Sequence, residues 1–370
     1  MYIFTFLFLF FFSWLSLNGK LSNKDRWRVF LFLTVWLVLH DGLRWAVGTD
    51  WNAYLFEFND SLYRNKYGME IGYYLINQTV RFCTSSYTVF LLLNAVFLYF
   101  SMGKLFKRYS PIPILSLWLF YASVVIYMGM NRQFIAMSLL VYSIPYAIER
   151  RLVPFLIIVS VAVTVHFAAI IFFVAYLLPQ VKEKKSYFFA LGLACIFALS
   201  GVINKIPLEY FYAFGAVIGG KASMSADQAA TVSMLNVLFG IAKRIGWILL
   251  IFTCWDTIKS SKPLSLFFNL YFISVLMYII FNGTMFQILV QRGLLYFSIF
   301  ECILLPYSLL KLKRYRSLLM LFFCIYGLWQ INRGMDAFKK DMGYDIFRPY
   351  NAVYINPDKT INEKWDEELW

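Results

Sequence analysis

Long apolar runs separated by short polar or basic stretches make up most of this chain. They can be drawn at roughly 1–17, 28–40, 86–103, 112–130, 134–148, 152–178, 186–204, 234–255, 264–282, 288–310 and 317–331, against the ~20 residues a spanning helix needs. Several are short or hold charges. The pattern predicts an all-α polytopic membrane protein of about 10–12 transmembrane helices, with a large outer loop at 41–85. The opening run, Met1–Leu17, has no basic start and no small-residue cleavage site, so it is expected to be a first transmembrane helix that is not removed.

Composition agrees with that pattern. Hydrophobic residues form 61% of the 370 and aromatics 21%, and mean hydropathy is +0.65, beyond the range of a soluble domain. The net charge of +14 would suit a nucleic-acid partner, but more than half of the 34 Lys and Arg lie in six short basic loops. Their position is what membrane topology requires, and no nucleic acid is expected. The five cysteines are scattered, mostly within apolar runs, and read as small buried hydrophobes. With only His40 and His166 in the chain and no close pair of acids, neither a metal site nor another cofactor is expected.

The basic loops are Lys20/Lys24/Arg26/Arg28, Lys104/Lys107/Arg108, Arg150/Arg151, Lys182/Lys184/Lys185, Lys259/Lys262 and Lys311/Lys313/Arg314/Arg316. Placing them all on the cytoplasmic side puts both termini outside. It also makes the chain leave and regain that side between Leu152 and Leu178, in too few residues for two full spans. That segment is therefore predicted to be a hairpin of short or broken helices with His166 near its tip; one long tilted span is the alternative. Irregular backbone at membrane depth needs protein or a water-filled cavity beside it. The outer side then carries the loop 41–85, Asn131/Arg132, the loop Lys205–Ser233 and a tail from about Asn332, with an acidic, surface-lying end at Asn362–Trp370. A transmembrane domain of 1–331 and a tail of 332–370 follow. There is no internal repeat.

Function is expected on that outer side, where Tyr, Trp, Asn and Asp gather. In Arg44-Trp-Ala-Val-Gly-Thr-Asp50-Trp-Asn-Ala-Tyr54, the Gly-Thr-Asp turn lets Asp50 cap the next segment while Arg44 reaches back to the membrane surface. An interfacial anchor with an aromatic belt is the other reading. Glu70 is followed by Tyr73; a lone Glu in such a loop is usually solvated. Arg132, followed by Gln133, opens a helix whose N-terminus favours an anion, and its fork suits phosphate. Arg292 lies inside an apolar run with Tyr296 one turn further on the same face. His166, flanked by apolar residues, is either a packing residue or part of a site. Lys243/Arg244 and Glu301 are most simply a structural ion pair. Taken together, the arginines, His166, Asp50 and Glu70 in a tyrosine-rich setting suit an anionic, sugar-bearing ligand, with an acid or the His taking a proton from an acceptor hydroxyl.

The order Arg44-x3-Gly48-Thr49-Asp50-x3-Tyr54, Glu70-x-Gly72-Tyr73, Arg132-Gln133-x2-Ala136 and His166-Phe-Ala-Ala169 resembles the EpsG-type family of polysaccharide polymerases, related in role to the Wzy O-antigen polymerases. The resemblance runs from about Arg26 to Tyr176 and is weak beyond it, save Arg292-x3-Tyr296. The family often has Pro after the Glu, where this chain has Ile71. The resemblance implies a metal-independent glycosyltransferase of the bacterial inner membrane that joins repeat units carried on undecaprenyl pyrophosphate, working at the periplasmic face. It also implies a Wzz-type chain-length regulator as a partner, besides the membrane lipids. Asp50 is the favoured base, with Glu70 as a substitute and His166 orienting or stabilising the departing pyrophosphate. Arg44, Tyr54, Tyr73, Arg132, Gln133, Arg292 and Tyr296 are the expected substrate-binding residues. A lipid-linked oligosaccharide flippase remains an alternative, as does a periplasm-facing O-antigen ligase or acyltransferase. The lack of a repeat counts against the flippase.

Overall fold

A computed structural model describes residues 1–62, 68–181, 183–205, 223 and 233–354. Among these, the secondary structure is helical, with a single isolated backbone bridge and no strand. The chain is an all-α polytopic membrane protein. Among the described residues, five helices are long and apolar enough to cross a membrane, and a bent pair makes a sixth candidate. Tyr2–Leu17, Pro113–Tyr127, Leu152–Val165 and Phe167–Tyr176 are shorter apolar helices. Many of their apolar side chains, such as Phe189, Ile196 and Leu199, are exposed, which is the surface lipid tails would cover. The described residues divide into two compact units.

The first unit comprises residues 1–146, 152–170 and 313–370. Its helices are α1 (Tyr2–Leu17), α2 (Asn23–Gly42), α3 (Trp51–Asp60), α4 (Ile71–Cys83), α5 (Tyr87–Tyr109), α6 (Pro113–Val124), most of α7 (Asn131–Ile148), α8 (Leu152–Val165) and the last helix, Arg316–Met342. Helix α2 packs along α5, and α1 along α6 and the last helix, around Phe6, Leu33, Leu37, Phe90, Leu98, Trp118 and Phe120. The 41–85 segment, expected as a loop, contains two helices. One of them, α4, lies against α8, where a Cβ on Gly72 would strike the Thr164 side chain and backbone. The last helix runs on past residue 331, and 344–354 fold back onto this unit.

The predicted hairpin is present. Arg150, just before α8, donates to the Tyr176 and Leu178 carbonyls, and the Tyr176 hydroxyl donates to the Arg150 carbonyl at 2.6 Å. The 14 residues of α8 span about 21 Å. The 3-10 segment Phe167–Tyr176 follows directly after His166.

The second unit, residues 147–151 and 171–312, is built from Lys184–Leu199, Met234–Ile251, Lys262–Phe281 and a broken run over 287–311. The expected ion pair is present, with Lys243 3.6 Å from Glu301, while Arg244 stacks on Tyr278 at 3.5 Å. The straight helix expected through Arg292 and Tyr296 is instead bent by 49° after Gly293. That break interrupts the regular spacing that would have put the two on one face; Arg292 is exposed and Tyr296 buried. Most of the expected outer loop Lys205–Ser233 and the acidic end Asn362–Trp370 lie outside the described residues.

Candidate functional site

Two backbone turns meet at the start of the site. The corner after α2 runs through Gly48 and Thr49, and the turn before α7 through Met128 and Gly129. The Thr49 N–H donates to the Met128 carbonyl at 2.9 Å. Gly48 (φ +100°) and Gly129 (φ +112°) both take conformations that side chains rarely adopt, and a Cβ on either would collide with the other turn's backbone. The corner is fastened a second time through buried side chains. Arg44 pairs with the Asp41 carboxylate, and its Nη2 donates to Asn131 Oδ1 at 2.9 Å; Asn131 Nδ2 in turn donates to the Tyr87 hydroxyl at 3.3 Å. These contacts fix the direction in which α7 sets out.

Arg132, the next residue, reaches Glu70 and Tyr54. Its Nη1 donates to Glu70 Oε2 at 2.6 Å and its Nε to the Tyr54 hydroxyl at 3.1 Å. Glu70 sits at the N-cap of α4 without bonding its own helix. Its other oxygen, Oε1, accepts from His166 Nδ1 at 3.3 Å and from the Phe167 backbone N–H at 3.2 Å. One carboxylate thus joins three elements: the start of α4, the start of α7 and the tip of the hairpin. Burial by itself would raise the Glu70 carboxyl, but the hydrogen bond from His166 and the charge and hydrogen bond of Arg132 outweigh it and hold Glu70 well below the usual carboxylate range. An ionised carboxylate only accepts, so His166 Nδ1 carries a proton and donates it to Glu70. Burial pushes the Tyr54 phenol up to about 12, against the lowering effect of Arg132, so it stays a neutral donor and acceptor. The Glu70 and Arg132 side chains remain 24% and 20% exposed, so a ligand can reach them.

Residues 27–332 match the EpsG family. The chain belongs to the EpsG family. The match covers most of its length and makes it a relative of the Wzy-like polysaccharide polymerases. Among curated proteins and solved structures, none matches the chain.

Set against the EpsG motif residues, the structure gathers Glu70, Arg132, His166 and Tyr54 into one cluster. Arg44 is buried and turned toward Asp41 and Asn131. Tyr73 is fully buried, edge-on to Tyr54 at 5.4 Å, and Gln133 is buried too. Asp50 is exposed at the N-cap position of α3, with left-handed backbone (φ +53°) and no side-chain bond to that helix. Ile71, where the family often has Pro, is the first residue of α4, a position at which either residue fits. Arg292 and Tyr296 belong to the second unit. Sequence reasoning passed over Asp41, Asn131 and the Phe167 N–H. Asp41 stands three residues before Arg44, a helical spacing that could have suggested the pair.

Among the described residues, no group of three or more His, Cys, Asp or Glu is placed to hold a metal ion.

Proposed function

We propose that this EpsG-family protein is a bacterial surface-polysaccharide polymerase. In this reading it joins undecaprenyl-pyrophosphate-linked repeat units at the periplasmic face of the inner membrane, with Glu70, Arg132 and His166 as its working groups. The observation that carries the reading is the Glu70 carboxylate bridging Arg132 and His166. It sets a cation suited to pyrophosphate beside an oriented imidazole, at a place open to a ligand. An acceptor sugar hydroxyl attacks the anomeric carbon of the donor glycan and its proton passes to His166 Nε2. The bond from that carbon to the pyrophosphate oxygen breaks, and undecaprenyl pyrophosphate leaves with the electron pair. Arg132 stabilises the charge that develops on it. Glu70 does not react; it fixes the His166 tautomer and aims both partners. Asp50, at the rim, contacts the sugars. Acid–base chemistry of this kind needs only these side chains, and a Wzz-type regulator would set the product length.

The direct test uses purified protein and undecaprenyl-pyrophosphate-linked units extracted from a strain lacking the polymerase. A ladder of lengthening lipid-linked products is expected. Units that cross a vesicle bilayer without growing would identify a flippase, and transfer to a different acceptor would identify a ligase; either outcome rejects the polymerase.

Sidedness has its own check. A single cysteine at Asn59, exposed beside the site, in a chain freed of the native five, should react with a membrane-impermeant maleimide in cells whose outer membrane is permeabilised. One at Arg108 should react only after lysis of the inner membrane. The reverse pattern would put the site on the cytoplasmic side.

A further inference from the structure

The segment 344–353 returns from the last helix and lies across the corner that carries Arg44 and Thr49. Its fold begins with Asp345, whose Oδ1 accepts from the Phe347 and Arg348 N–H groups at 3.1 and 2.9 Å. Arg348 ties this turn to the last helix, bonding Asp345 at 2.7 Å and Asp336 at 2.5 Å. From there the strap bonds the corner along its length. The Gly48 N–H donates to the Ile346 carbonyl at 2.9 Å, the Trp45 N–H to the Asn351 carbonyl at 3.1 Å, and the Val353 N–H to the Leu43 carbonyl at 3.0 Å. Asn351 Nδ2 returns a bond to the Trp45 carbonyl at 3.2 Å, and the Tyr350 hydroxyl donates to the His40 carbonyl at 2.7 Å. The Tyr350 ring stacks on His40 at 4.9 Å. Ile346, Phe347 and Ala352 are buried, so this is a packed part of the unit and not a surface tail.

The corner passes that constraint on by two routes. Gly48 and Thr49 seat on Met128 and Gly129, the turn immediately before α7, and Arg44 holds Asn131, the neighbour of Arg132. Without the strap, the Trp45 and Gly48 N–H groups lose their partners, and buried backbone donors do not stay unpaired in a fixed structure. The corner would then move, and the start of α7 with it.

We propose that residues 344–353 are a positioning element of the Glu70–Arg132–His166 site, acting on it through the Leu43–Thr49 corner and the start of α7. The proposal rests on the polymerase reading of that site. The segment lies beyond residue 332, where the family match ends.

The test measures kcat and KM for purified variants, with the same extracted lipid-linked units as probe and with membrane abundance and thermal unfolding recorded for each. A chain ending at Tyr354, which keeps the strap, serves as the reference for the shorter chain. Asn351→Ala, which removes one side-chain bond to the corner, should lower kcat by about 5–10-fold with KM little changed, a loss in keeping with slight misplacement of a reacting group. Placed on an Arg132→Ala background, Asn351→Ala should add nothing, because both act through the same side chain. A chain ending at Gly343 should be slower still. Should that chain fail to accumulate, Asn351→Ala and Tyr350→Phe decide the matter alone. Wild-type kcat for both of these overturns the proposal, as does a full additional loss from Asn351→Ala when Arg132 is already absent. An Arg132→Ala enzyme as active as wild type would overturn the site reading and the strap together. Sensitivity to Arg132→Ala with an inert strap would overturn the strap alone.

Discussion

His166→Gln and Glu70→Gln are each expected to reduce polymer formation by about 10²–10⁴-fold, the range that a positioned acid–base group contributes. Asp50→Asn should cost less than ~10-fold. The difference comes from placement. His166 is buried at the hairpin tip with Nδ1 bonded to the Glu70 carboxylate, which holds the ring in one orientation. Asp50 is exposed at the N-cap position of α3, with left-handed backbone. Glu70→Gln keeps the volume and one acceptor but removes the charge. Its amide can also present N–H to the imidazole, which favours the wrong tautomer. Glu70→Gln should therefore fall almost as far as His166→Gln, and the double variant little further than either single one, as for groups acting as a unit. The measurement is the initial rate of ladder formation at equal membrane abundance. Near wild-type turnover by His166→Gln alongside a dead Asp50→Asn would move the base role to Asp50.

The apolar runs located the helices because a bilayer demands unbroken hydrophobic length. The basic loops on either side of 152–178 led to the hairpin and to His166 at its tip for the same reason. Arg132 was legible as a helix start because its apolar periodicity begins there. Glu70 was legible only as a substitute base, not as the bridge between Arg132 and His166. Those partners stand 62 and 96 residues away along the chain, and no local pattern encodes a pairing over that distance. Arg44 was expected to bind substrate; its bond to Asn131 depends on how the end of α2 meets α7, while Asp41 lies only three residues before it. Regular helical spacing also failed at Arg292 and Tyr296, where the helix breaks after Gly293. The strap at 344–353 has neither periodicity nor unusual composition; what defines it is backbone hydrogen bonding to a corner some 300 residues earlier.

The two arginines at the start of the site should respond to substitution in opposite ways. Arg132→Lys keeps the charge but loses the planar fork that reaches Glu70 and Tyr54 together. Lysine can satisfy one of those partners and cannot also present an ordered edge to pyrophosphate. Ladder formation should fall by at least ~10-fold, corresponding to about 1.4 kcal/mol of lost transition-state binding. Membrane abundance should hold, since the side chain is partly exposed at a helix start. Arg44→Ala removes one half of a buried ion pair and leaves Asp41 without its cation, a change that typically costs about 3–5 kcal/mol of folding stability. Its main effect should be loss of the protein from the membrane and a lowered unfolding temperature, with residual activity per folded molecule well above that of His166→Gln. Quantitative blots, thermal unfolding in detergent and rates per folded molecule separate the two. An Arg132→Lys enzyme with an unchanged ladder would reject fork recognition. An Arg44→Ala protein that is abundant and stable yet inactive would return Arg44 to the substrate, because a purely structural arginine cannot be lost without cost to the fold.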